Sequence, residues 1–287
     1  MLKKLTERIY YMPHNNDTDR PILGLVCGDK YSLIVDSGNS PQHAKEFLAE
    51  VKSLNIPPVK YLVITHWHFD HVFGIKEMNL TTIGHENTKI KLEEMRNMRW
   101  DDASLEVYLQ NGTFNEFEIS CIKNEIPERD SFLIGDLDIT YKGSMAIDLG
   151  GINCIINDVG GDHTLESTVI YIPEEKVIFL GDCVYNGRYN GDYVFTKEKL
   201  FPMIDKIEKN DIEYYFCSHE SICDKEEMDG FWHQLKSTGN IVEKGTSVEE
   251  AKRKFTATYK RPPTEAESFF IGGFVNGNKA MKEKAHH

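Results

Sequence analysis

Apolar positions along the chain follow two periods. Short apolar runs at 22–26 and 31–35, separated by Cys27-Gly28-Asp29-Lys30, predict a hairpin of two strands. Asp36-Ser37-Gly38 closes the second run. Ser40-Pro41 then supplies a capping hydroxyl and a proline at the first helical position. Ala44, Phe47, Leu48 and Val51 recur at i, i+3, i+4 and i+7, the spacing of a helix with one apolar face. Residues 61–65 return to a short apolar run and read as a strand covered on both faces. The same strand, turn, strand pattern recurs at 168–172, 173–176 and 177–181, with a helix near 201–209 and a further strand at 213–217. Residues 86–110 read as polar helix carrying Met95, Met98, Trp100 and Tyr108. Helix dominates again from about Lys225, with one segment over 248–259 broken by Pro262-Pro263. Sheets mixed with amphipathic helices predict an α+β fold with helices covering the outer face of each sheet.

Composition narrows the function classes. The formal net charge is −13, from 33 basic and 46 acidic residues in 287. A surface that acidic disfavours nucleic acid and anionic membranes as partners. No window is apolar enough to span a bilayer, and no apolar stretch follows the charged first residues, so a cytoplasmic enzyme is expected. Six cysteines without CxxC spacing read as reduced, buried thiols. Residues 285–287 read as the remnant of a purification tag and are set aside. A homo-oligomer is compatible with the sequence but not indicated by it.

The sharpest chemical feature is Thr65-His66-Trp67-His68-Phe69-Asp70-His71, directly after a strand. Three imidazoles and a carboxylate in six residues are the donors that zinc and similar ions accept. Without a cation, protonated histidines would repel one another and neutral ones would need many hydrogen-bond partners.

His66-x-His68-x-Asp70-His71 resembles the signature of the metallo-β-lactamase fold superfamily, in the hydrolytic branch that includes glyoxalase II and the lactonases. The resemblance extends to Gly160-Gly161-Asp162-His163-Thr164, to Phe179-Leu180-Gly181-Asp182 and to Cys217-Ser218-His219-Glu220. Asp36 matches the family's early Asp-x-Gly turn. It covers about residues 5–222 and implies a four-layer αββα sandwich over residues 1–224, with 86–110 as an insert and possible lid. Residues 225–284 would be a helical extension packed on the same domain. The resemblance further implies two divalent metal ions, zinc first, with iron or manganese as other candidates. His66, His68 and His163 would hold one, Asp70, His71 and His219 the other, and Asp182 would bridge them. A water between two such cations loses its proton near neutral pH, with Asp70 placed to take it. Such a hydrolase would cleave a small ester, thioester, lactone or phosphodiester. Tyr185, three residues after Asp182, matches a tyrosine that in lactonase-like members donates to the substrate carbonyl. A plain aromatic beside the site is the other reading.

Two alternatives keep the same signature. Persulfide dioxygenases use a single iron held by two histidines and one carboxylate. A non-catalytic relative would keep the fold, although such relatives usually lose ligands and this chain has the full set. The family's turn Gly-His-Thr-Pro-Gly-Ser is replaced by Asp162-His163-Thr164-Leu165-Glu166-Ser167, which alters loop contacts. The basic and aromatic residues that hold glutathione in glyoxalase II are not recognisable after Lys225. Cys183 and Cys217 are expected in the core, and Trp67 and Phe69 beneath the loop. His85 is expected in a structural or second-layer role. His14, His43 and His233 read as structural or surface, with His43 on a largely solvated helix.

Overall fold

Alternation along each strand sends successive side chains to opposite faces, and here both faces are apolar. That forces each sheet to be covered twice. In the computed structural model, which describes residues 1–284, seven strands form a first sheet in sequence order: β1 (Lys3–Lys4), β2 (Ile9–Met12), β3 (Leu23–Cys27), β4 (Ser32–Val35), β5 (Val59–Val63), β6 (Thr81–His85) and β7 (Ile139–Tyr141). The strands β1 to β4 pair antiparallel, whereas β4 to β7 pair parallel. Parallel neighbours need crossovers. These are α1 (Pro41–Val51), then α2 (Phe69–Val72) and α3 (Ile75–Met78), then an insert of three helices, α4 (Glu86–Arg96), α5 (Asp102–Gln110) and α6 (Glu116–Glu125).

The second sheet contains β8 (Ser144–Asp148), β9 (Asn153–Asp158), β10 (Thr168–Ile172) and β11 (Val177–Gly181). After a small hairpin, β12 (Gly187–Tyr189) with β13 (Asp192–Val194), it is completed by β14 (Tyr214–Cys217) and β15 (Cys223–Asp224). Its order is β15-β14-β11-β10-β9-β8. Four helices cover its outer face: α7 (Lys197–Ile207), α8 (Lys225–Ile241), α9 (Val248–Tyr259) and α10 (Glu265–Lys284).

Three apolar layers result. Leu25, Ile34 and Leu62 pack outward onto Phe47, Phe73 and Trp100. Val26, Val35 and Val63 pack inward on Ile156, Ile170 and Phe179 between the sheets. Tyr171 and Leu180 face Met203, Trp232 and Phe274 beyond. This is the expected α+β arrangement of helix, sheet, sheet and helix. The sheets approach closely at Gly24, where an added Cβ would sit 2.4 Å from the Phe179 ring.

Two expectations need correction. Residues 86–110 are helical as read, in two helices broken at 97–101, and a third follows at Glu116–Glu125. Met95 and Trp100 are buried in the first apolar layer, with Met98 packed against it, so the three side chains serve the core and do not line the cleft described below. His43 does not lie among solvated neighbours. It is fully buried, its ring stands against Gly38, and no hydrogen bond among the described residues reaches either ring nitrogen. The apolar stripe of α1 is therefore wider than its aliphatic residues indicate. The segment 285–287 lies outside the described residues.

Two measurements test this packing. Gly24→Ala forces a methyl into the Phe179 ring and should cost about 1–3 kcal/mol, the usual range for overpacking, in urea unfolding; an unchanged midpoint would show that the sheets separate freely. Burial, aided by the Arg20 charge, pushes His43 down to about 3 from 6.5. The unfolded chain therefore binds this proton first, and stability present above pH 6.5 should fall as pH drops toward 3. His43→Leu should flatten that slope in thermal unfolding followed against pH, and an identical slope would remove His43 from the acid response.

Candidate metal centre and active-site cleft

The site forms where both sheets end. The loop after β5 carries His66 and His68, and α2 carries Asp70 and His71. The loop from β9 to β10 supplies His163, β11 ends one residue before Asp182, and β14 two residues before His219. Strand ends fix these loops because the strands beneath are buried on both faces. Gly181 has φ +55°, and an added Cβ there would meet Thr65 at 2.7 Å. The left-handed turn and the close approach both require glycine, and together they bring Asp182 beside the His66 loop.

Seven side chains, separated by up to 153 positions, form two groups that share Asp182. In the first, His163 Nε2 lies 2.9 Å from His68 Nδ1, 3.3 Å from His66 Nε2 and 3.4 Å from Asp182 Oδ2. In the second, Asp70 Oδ2 lies 3.0 Å from His71 Nε2 and 3.1 Å from His219 Nε2. Asp182 Oδ1 is 3.5 Å from His71 Nε2. Within each group the donor atoms lie within 4.8 Å of one another. All seven residues named from the sequence therefore meet at one place.

The electrostatics are those of a cation site. Burial, reinforced by neighbouring imidazoles, holds His66 and His68 in their neutral form, His68 down to about 3. Burial alone would raise Asp182, but the imidazoles of His219 and His71 pull it well below the carboxylate range. Burial likewise opposes charge on His219, yet Asp182 and Asp70 raise it to about 10. Two carboxylates at the second group thus draw positive charge, which protons supply where a cation would. His71 Nε2 and Asp182 Oδ1 are buried without a hydrogen-bond partner and face into the cluster. Orphaned donor atoms in such a place are what a metal ligand looks like without its ion, so the residues of each group fit a metal cation.

A second layer orients the ligands. Asp36 Oδ2 lies 2.8 Å from His71 Nδ1 and accepts from Thr65 Oγ1 at 2.9 Å, while Oδ1 accepts from the Thr65 amide at 2.8 Å. Thr65 Oγ1 is also 3.1 Å from His66 Nδ1. Asp36 adopts φ +62°, which aims its carboxylate under the loop. The buried Asp162 carboxylate accepts from the Thr196 amide at 2.6 Å and hydroxyl at 2.8 Å, anchoring the altered His163 turn. Tyr185 stands beside the centre, and its Oη accepts from the His219 amide at 3.3 Å. Cys183 and Cys217 are buried in the core as expected. His85 caps α4, its Nδ1 accepting from the Asn87 amide at 3.1 Å. Trp67 and Phe69 do more than pack, since both also line the cleft.

That cleft, about 1220 Å³, opens over the metal loop. One wall is the end of α5 and the turn into α6, including Leu109 and Phe114; the other is the β12–β13 hairpin, with Phe269 of α10 behind it. The part of the insert that reaches the site is therefore its last turn and third helix. Asp19, whose carboxylate is 3.7 Å from His219 Nδ1, and Arg188 on the hairpin are site residues that the sequence reading misses. Asn190-Gly191 is a recognisable hairpin signal that locates Arg188. Nothing local marks Asp19.

The chain belongs to the metallo-β-lactamase superfamily, whose family model matches residues 23–219. Among curated proteins it is similar to a beta-lactamase-like protein 2 homolog of Caenorhabditis elegans, at 24% identity over 73% of this chain; the match spans only 60% of that protein's length. It is also similar to the human acyl-coenzyme A thioesterase MBLAC2, at 21% identity over 71% of this chain and 76% of that protein. The hydroxyacylglutathione hydrolase of Pelagibacter ubique is 26% identical over 67% of each. Among solved structures, a metallo-β-lactamase family protein from Thermus thermophilus shares the fold, with a TM-score of 0.56 and 16% identity over 98% of this chain and 96% of that one. No helix among the described residues is long and apolar enough to cross a membrane.

Asp36→Asn tolerates the left-handed backbone but removes the charge behind His71. It should weaken metal binding by roughly 10–100-fold, the usual cost of losing such a partner. Competition with a chromogenic chelator measures this. Unchanged affinity would make Asp36 a loop-folding residue only.

Proposed function

We propose that this protein is a metal-dependent hydrolase that cleaves a small carboxylic thioester or ester. The observation that carries the reading is the pair of complete ligand groups sharing Asp182 at the floor of the cleft. The single-iron reading keeps the same residues and is separated from this one by metal content. The thioester preference rests on two of the similar proteins, one named a thioesterase and the other a hydrolase of acylglutathione.

Two divalent cations, held by His66, His68, His163 and Asp182 and by Asp70, His71, His219 and Asp182, would acidify water and withdraw charge from a carbonyl. The chain supplies the rest. Asp36 fixes the His71 ring through Nδ1, so that Nε2 faces the centre. Asp70 Oδ2 lies within 3.1 Å of two imidazole nitrogens and is placed to take the proton released by the attacking water. Tyr185 Oη already accepts from the His219 amide, which leaves its own proton to donate to the substrate carbonyl oxygen. Trp67, Leu109, Phe114 and Phe269 give the cleft an apolar wall that suits an acyl chain and keeps bulk water from it. Asp19, Glu116 and Glu118 face a single guanidinium, Arg188, which disfavours leaving groups with several negative charges.

The test is a screen of metal-reconstituted protein against thioesters of N-acetylcysteamine and coenzyme A, esters and lactones, with metal content measured alongside. About two zinc, or comparable divalent ions, per chain and turnover abolished by chelator are expected. Asp182→Ala should lower that turnover on the order of 10³-fold, matching several kcal/mol of lost charge stabilisation. One iron per chain with oxygen consumed would overturn the reading.

A further inference from the structure

The metal ligand His219 sits inside a short loop bounded by two cysteines. β14 ends at Cys217 and β15 begins at Cys223. The antiparallel register pairs Tyr215 with Cys223. Residues two apart on a strand share a face, so Cys217 and Cys223 are diagonal neighbours on one face of this hairpin. Both side chains belong to the same apolar cluster. Cys217 is 4% exposed, whereas Cys223 is only partly buried and its thiol lies 3.6 Å from the Ser221 carbonyl. One thiol is thus open to small molecules and the other waits beneath it.

We propose that Cys217 and Cys223 form a reversible disulfide that sets the position of His219. The inference rests on His219 being a metal ligand, and not on any particular substrate. The oxidant is a low-molecular-weight disulfide. The Cys223 thiolate attacks one of its sulfurs, forming a mixed disulfide and releasing one small thiolate. Cys217 loses its proton and attacks the Cys223 sulfur, and the second small thiolate leaves. Two protein thiols are oxidised, and the two electrons they give up appear in two small thiols.

The consequence follows from geometry. Diagonal neighbours have Cα atoms about 7–8 Å apart, whereas a disulfide needs them within about 6.8 Å and its sulfurs at about 2.05 Å. Closing the bond therefore tightens residues 218–222. His219 is held by its amide to Tyr185 Oη at 3.3 Å and by Nε2 at 3.1 Å from Asp70 and 3.5 Å from Asp182. A shift of the loop breaks this second ligand group. His66, His68 and His163 stand on other loops and stay in place.

The test treats the metal-loaded full chain with oxidised glutathione, alkylates the remaining thiols, maps cysteines by mass spectrometry and measures metal retained after desalting. The expected product is a 217–223 crosslink, with bound metal falling from about two to about one per chain and returning after reduction and metal resupply. Cys223→Ser should keep its metal under the same treatment. Cys217→Ser should stop at glutathione on Cys223 and also keep its metal. Alkylation of both thiols after oxidation would overturn the proposal. So would a bond from Cys217 to the neighbouring Cys183, a crosslink that leaves metal content unchanged, or equal metal loss in Cys223→Ser. No readout requires turnover, so failure of the hydrolase reading would not be mistaken for failure here.

Discussion

One carboxylate can serve two ligand groups only if the sheets that supply the ligands hold their ends at a fixed separation. Asp182 is that carboxylate, and Gly181 and Gly24 are where the separation is set. Gly181 lets the end of the second sheet reach Thr65 of the first, and Gly24 admits the Phe179 ring between the sheets. Everything at the centre inherits this spacing. The apolar layer of Val26, Val35, Val63, Ile170 and Phe179 sits beneath the ligand loops, and the buried contact between Tyr141 Oη and Thr168 Oγ1 ties one sheet to the other. The stability of the core and the geometry of the site are in this sense one property.

Such a centre is costly without its ions. Burying five histidines and two carboxylates together leaves imidazoles that repel and oxygens without partners. The protein answers on one side only. Asp36, Thr65 and Ser37 support His71 from behind, with Ser37 Oγ donating to the His71 carbonyl at 2.7 Å. The face toward the cleft holds the donor atoms that could take a cation. The overall charge of −13 works in the same direction, since it raises the local concentration of cations near an acidic cleft.

Chemistry is more legible in the sequence than the architecture around it. The seven candidate ligands can be named because metal donors are rare residue types at tight spacing, and because the strands before them are short apolar runs. His43 escapes that reading because a histidine at a helix position counts as polar in any periodicity argument, whereas its burial is decided by Gly38 across the turn. Met95, Met98 and Trp100 suggest a lid by their size, yet large apolar side chains are also what a core recruits, and here the core takes them. Helix α6 is hidden because Asn115 and Glu118 form its capping box within a polar stretch. Asp19 cannot be found at all, since its partner His219 lies 200 positions away.

The cleft walls explain why the fold alone does not choose a substrate. The metal floor comes from strand ends that packing leaves no freedom to vary. The walls come from a helical insert in one crossover and from a short hairpin beside α10, where the Phe195 amide donates to the Gly273 carbonyl at 3.0 Å. Neither wall contributes to the layer between the sheets. Residues such as Glu116 and Arg188 can therefore change without disturbing the spacing that Asp182 requires, whereas Phe114 also packs against Phe69 in the first apolar layer. The segments that wall the cleft lie outside the layer between the sheets, above loops that this layer positions.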